Sequence, residues 1–161
     1  MIRSRMGTYD HPPKKPMKPN LGESYPLDWE GRPAQMSSED YEIWVRFVGS
    51  ETAIYQKVFF SVLVGDPVMP TEGLDEGMAR VIEHASRRRI DVVGETEDSW
   101  HIIELRNNAG PGVIGSVLTY KVLWEADPPD ERKCTPIIIT NTVDINLAFV
   151  CRKLEIPLIR V

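Results

Sequence analysis

The chain has 161 residues, of which 42% are apolar and 27% charged, and a formal net charge of −5. That length carries one domain with a hydrophobic core and is short for two, and the composition is that of an ordinary globular chain. The acidic balance argues against a protein whose main task is gripping a nucleic-acid backbone, which needs clustered Lys and Arg.

No apolar run approaches the roughly 18–20 residues that span a bilayer. The basic residues of 1–17 are not followed by an apolar block, so no secretory signal is expected, and the expectation is a cytosolic-type protein without a membrane segment. Cys134 and Cys151 lack CxxC spacing and read as reduced thiols. With His11, His84 and His101 scattered, no zinc-ligand spacing can be assembled.

Residues 1–37 hold six of the thirteen prolines (Pro12, Pro13, Pro16, Pro19, Pro26 and Pro33) and show no periodicity, so they cannot order themselves alone. Two readings compete: a flexible tail, or an extended arm that drapes over its own domain or a neighbouring subunit. Tyr9, Tyr25, Leu27 and Trp29 favour a partner-binding arm, because large hydrophobes are worth burying.

Order is predicted from Ser37-Ser38-Glu39-Asp40, which supplies hydroxyl caps and first-turn acids to a helix over 38–49. The β-branched and aromatic run over 54–64 reads as a strand, and 74–86 as a modest helix weakened by Gly77. Strands are predicted over 88–95 and 99–106, joined as a hairpin, with Asn107 to Gly112 breaking the second. Ile114, Val117, Leu118 and Val122 form one stripe of a helix over 113–125, which Pro128-Pro129 stops. Pro136–Thr140 reads as a buried central strand, Asp144 caps a helix running to about Glu155, and 158–161 is a last strand. This order predicts an α/β fold, a mixed sheet flanked by helices, over 38–161.

The hairpin carries the chemistry. Strand alternation puts Glu104 and Arg106 on one face, with Trp100 and Ile102. Asp91 stands in an apolar strand, where a carboxylate is out of place unless paired, and a tight hairpin brings it to the same face. Two carboxylates about 4–6 Å apart can hold Mg²⁺ through oxygen ligands and activate a bound water. A Glu–Arg pair across a hairpin is, equally, a common surface stabiliser. Trp44, Trp100 and Trp124 read as core or interface residues, and Tyr120 and His101 carry no special signal.

Asp91 followed by Glu104-Leu105-Arg106, with the elements around them, resembles the PD-(D/E)XK, or restriction-endonuclease-like, nuclease family over residues 74–161. The resemblance implies a restriction-endonuclease-like core, Asp91 and Glu104 as Mg²⁺ ligands, and Asp91, Glu104 and Arg106 as the catalytic set. The chain departs from the pattern in two places. Arg106 stands where the family has lysine, and Gly115-Ser116 where members often have glutamine; Lys121 is a candidate displaced cation.

Arg87, Arg88 and Arg89, together with Lys121, are candidate DNA contacts. The stretch from Arg89-Ile-Asp-Val-Val to Leu118-Thr-Tyr120 is also similar to small tailed-bacteriophage proteins of head-completion and neck type. Two functions are therefore expected from the resemblance. One is a virion structural or assembly protein with a degenerate site, working as a ring with other virion proteins in the virion or host cytoplasm. The other is an active Mg²⁺-dependent DNA endonuclease. A regulator that binds only protein is a third.

Overall fold

The computed structural model describes residues 14–161. Its elements in chain order are β1 (Ser24–Tyr25), α1 (Ser38–Gly49), β2 (Lys57–Val64), α2 (Glu76–Ser86), β3 (Arg88–Glu95), β4 (Ser99–Ala109), α3 (Gly112–Ala126), β5 (Lys133–Val143), α4 (Ile145–Lys153) and β6 (Leu158–Arg160). The six strands form one mixed sheet in sequence order. Strands β1 to β4 are antiparallel neighbours; α1 lies in the connection from β1 to β2, α2 in that from β2 to β3, and a short turn joins β3 to β4. Strands β4, β5 and β6 run parallel, which requires crossovers, and α3 and α4 supply them. The expected α/β fold, a mixed sheet flanked by helices, is what forms.

Each face of the sheet buries its own core. On one, Ile43, Trp44 and Phe47 of α1 pack on Val58, Val92, Ile103, Leu105 and Ile139. On the other, Tyr120 and Trp124 of α3 cover Phe59, Val93, Trp100 and Ile102. Val117 of α3 and Leu147 and Cys151 of α4 close over Ile138. The alternation along β4, with Ile103 and Leu105 on one side and Trp100 and Ile102 on the other, is the period-2 pattern of a strand buried on both faces.

Helix starts follow local chemistry. Ser37 Oγ accepts from the Asp40 N–H at 3.1 Å, and Asp144 Oδ1 accepts from the N–H groups of Asn146 and Leu147 at 2.9 Å each. Both are at or beside the expected starts. Strand β4 runs three residues past the expected break, through Asn107-Asn108-Ala109. The cause is its parallel ladder with β5, which pairs Asn108 with Thr142 and Ala109 with Val143. Cross-strand pairing thus overrides the turn preference of asparagine.

Part of the proline-rich stretch is strand as well. Ser24 and Tyr25 pair with Phe59 and Val58, and Asn20 bridges to Leu63, so β1 forms the sheet edge. Tyr25 and Trp29 stack on each other at 4.2 Å between ring centroids, and both lie near Phe60 of β2. Leu27 packs against the α1 core. Tyr9 lies outside the described residues.

One irregularity positions the site. Ser61 has φ 55°, and the β2–β3 ladder passes from Phe60–Val92 to Val62–Ile90 without pairing Ser61 with Asp91. On either side of this point the strands exchange faces: Val58 and Val92 belong to the α1 core, Val62 and Ile90 to the α3 core. Asp91 sits at the exchange, in a chain that is otherwise apolar through β3.

Candidate functional site

The β3–β4 ladder ends at Val92–Ile103, and one step further on Asp91 stands across from Glu104. Where the strands part, a side chain replaces the missing ladder bond: the Leu105 N–H donates to Asp91 Oδ2 at 2.9 Å. Arg106 closes the group. Its Nη1 donates to the Leu105 carbonyl at 2.8 Å and lies 3.5 Å from Asp91 Oδ2, and its Nη2 donates to Glu104 Oε1. The structure therefore brings Asp91, Glu104 and Arg106 together, with the Leu105 backbone as a fourth participant.

Burial sets the electrostatics. Glu104 is only 1% exposed, and its Oε2 is a buried oxygen without a donor among the described residues. Burial first, and the neighbouring Asp91 charge second, push its carboxyl up to about 8, against the pull of Arg106. Burial also raises Asp91, opposed by the Leu105 N–H and by Arg106. The nearness of the two carboxyls works in opposite directions on them, holding Glu104 up and Asp91 down. The charge on Asp91 makes Glu104 harder to ionise, so the two carboxyls titrate as a coupled pair. Asp40, in the first turn of α1, adds negative potential from one side, and Tyr120 of α3 feels the cluster from the other.

These residues do not fit a divalent cation as they stand. Three of the oxygens a cation would draw on, Asp91 Oδ2, Glu104 Oε1 and the Leu105 carbonyl, are bonded to or paired with Arg106, and Glu104 Oε2 is left without a donor among the described residues. A guanidinium carries its charge permanently and presents a planar fork of donors, so it holds that position as a fixed internal cation. Among the described residues no three His, Cys, Asp or Glu side chains form a metal-sized group.

The candidate DNA contacts are dispersed. Arg87 corrects the expectation directly: it is 6% exposed, and its guanidinium donates to the carbonyls of Gly65, Lys18 and Leu63. It ties the end of β2 to the proline-rich stretch through Nε and Nη2, which both donate to backbone. Arg89 donates to Gln35 Oε1 and to the His84 carbonyl, while Arg88 is exposed. Lys121 pairs with Glu125 one turn along α3 at 2.6 Å, away from the Asp91 cluster.

Residue identity alone did not disclose three participants. The Leu105 amide and carbonyl act through the backbone, which carries no sequence signal. Tyr120 and Asp40 were placed on their helices, but only the sheet register brings them toward Glu104. A second arginine cluster, around Arg132, has no local sequence signal. Arg132 lies over the Trp100 ring at 4.3 Å and pairs with Asp130 and Glu95 at 2.7 and 2.8 Å, and the Trp100 Nε1–H donates to Asp130.

No protein-family profile matches the chain, and no curated protein matches it. Among solved structures it is similar to protein VC1899 from Vibrio cholerae, with a TM-score of 0.44 and 14% identity over 75% of this chain. The chain spans 28% of the length of that protein.

Proposed function

We propose that the chain is a virion structural or assembly protein of a tailed phage, of the head-completion, neck or head–tail connector type. In this reading it has a restriction-endonuclease-like core whose site is closed by its own arginine. The observation that carries the proposal is the Arg106 guanidinium bonded at once to Glu104 and the Leu105 carbonyl and paired with Asp91. The element order also supports it: an Asp-bearing strand, the strand of Glu104 and Arg106, then a helix and a strand is the order that the nuclease resemblance implies.

The assembly side rests on the sequence likeness to head-completion and neck proteins, and implies a homo-oligomeric ring in contact with other virion proteins, in the virion or the host cytoplasm. No helix among the described residues is long and apolar enough to cross a membrane. Residues 1–37 serve as the extended arm, with 20–29 laid along the chain's own sheet and Tyr9 beyond the described part.

The test is incubation of excess protein with linear and branched DNA in Mg²⁺ or Mn²⁺, alongside measurement of its mass in solution. Intact DNA and a mass that is a multiple of the monomer are expected. Cleavage that disappears in Glu104→Ala contradicts the proposal.

A second reading, a Mg²⁺-dependent endonuclease with Asp91 and Glu104 as ligands, is favoured by one observation. The Arg106 side chain is 42% exposed, so a DNA phosphate has access to the guanidinium and can draw it away from the carboxylates. The same cleavage assay separates the two readings.

A further inference from the structure

Two exposed surfaces of the chain pair apolar side chains with charges of opposite sign, basic on one and acidic on the other. Helix α4 buries Leu147 and Cys151 against the sheet and turns Ile145 and Phe149 outward, 82% and 62% exposed. Arg152 and Lys153 follow on the same outward side, at helical spacing from Ile145 and Phe149, and Lys153 Nζ lies 5.6 Å from the Phe149 ring centre. On a nine-residue helix, two large apolar side chains in water beside two cations form a knob with nothing over it among the described residues.

The second surface lies between residues 27–30 and α1. It is a groove of about 310 Å³ lined by Leu27, Trp29, Tyr41, Trp44, Val45 and Val48. Asp28 and Glu30 stand exposed on its rim. Its floor is aromatic and aliphatic and its edge acidic.

We propose that the α4 knob of one copy of this chain seats in the α1 groove of a second copy, with Phe149 entering the groove and Arg152 and Lys153 meeting Asp28 and Glu30. A second copy is the occupant that the charges select. The chain carries a net charge of −5, so copies repel unless a basic patch meets an acidic one, and this contact supplies that pairing. One chain cannot satisfy itself. Helix α1 covers one face of the sheet and α4 the other, so the groove and the knob of a single copy point apart. The contact is therefore head-to-tail, and it repeats from copy to copy until it closes as a ring or continues as a filament.

The inference deepens the assembly reading by naming its contact, and the two fail separately. DNA cleavage by a chain assembled through this contact removes the assembly reading and upholds the contact. An inert chain assembled through another surface does the reverse.

The experiment is sedimentation or light scattering on the full chain at tens of micromolar. Wild type is expected above the monomer mass, and Phe149→Glu and Val45→Glu are each expected to be monomeric with unchanged thermal unfolding, since both side chains are exposed. An equimolar mixture of these two variants leaves one intact knob and one intact groove, and is expected to form a dimer that does not grow. A wild-type monomer, including one whose groove is filled by its own residues 1–13, overturns the proposal. So does an oligomer that survives both substitutions, or a variant mixture that stays monomeric.

Discussion

The molecule holds two clusters of the same make-up, one arginine between two carboxylates, in opposite electrostatic states. Around Arg132 the partners are near the surface: Asp130 is held below its ordinary range by hydrogen bonds from Arg132, and Arg132 itself is raised. Around Arg106 the partners stand in the middle of the sheet, and burial drives Glu104 up to about 8 in spite of the guanidinium beside it. The difference is desolvation. A carboxylate in water gains from a nearby cation, whereas one at 1% exposure loses more hydration than one guanidinium returns. Composition therefore does not set the behaviour of such a cluster; its depth in the sheet does.

Removing the arginines breaks this comparison most sharply. Arg106→Ala leaves two carboxyls facing each other in the sheet and is expected to cost roughly 2–3 kcal/mol in urea unfolding at pH 8. That is less than a fully buried broken pair costs, because the Arg106 side chain reaches solvent. The loss is expected to shrink at pH 5, where Glu104 is neutral. Arg87→Met strips a donor from three backbone carbonyls and is expected to cost about 2 kcal/mol. Arg132→Ala, at the exposed cluster, is expected to cost at most about 1 kcal/mol in the same assay. Arg88→Ala, on an exposed side chain of the same triplet as Arg87, is expected within about 0.5 kcal/mol of wild type. Equal losses for Arg106 and Arg132 would erase the distinction between the clusters.

The pH dependence sharpens it. Glu104 titrates near 8 in the folded chain and near its ordinary 4.5 when unfolded, so between those values the native state holds a proton that the unfolded state has released. Stability from this group is thus greatest on the acid side and falls as pH rises from 4.5 to 8, by no more than about 1.4 kcal/mol per pH unit. Glu104→Gln is expected to flatten that slope in unfolding curves measured from pH 5 to 8. Asp130 has the opposite sign: its contribution is present above its ordinary value of 3.8 and is lost in stronger acid. Asp130→Asn is therefore expected to leave the pH 5–8 slope alone.

The same contrast shows what residue order could disclose. The elements were legible because their signals are local: Ser37 and Asp144 cap helices, and the Val, Ile and Phe runs alternate or fill buried strands. The convergence of Asp91, Glu104 and Arg106 was legible too, because the hairpin connection limits the register. Arg87 was not. In a run of three arginines nothing marks the first as the one that turns inward, and only the fold places the carbonyls of Lys18, Leu63 and Gly65 around it. The positive φ of Ser61 and the exchange of faces beside Asp91 were equally hidden, since a serine within a strand announces no irregularity. Burial of Glu104 follows from the two strands beside β4 and the two helices over it at once, and no window of sequence contains that.

The central claim is that Arg106 stands where a divalent cation would. Calorimetric titration with Mn²⁺ at pH 8 tests it most directly, on wild type and on Arg106→Ala. Wild type is expected to give no saturable binding. The Arg106→Ala variant is expected to bind one ion, with a gain in thermal stability that Glu104→Ala added to it removes. Saturable Mn²⁺ binding by wild type, abolished by Glu104→Ala, would contradict the account.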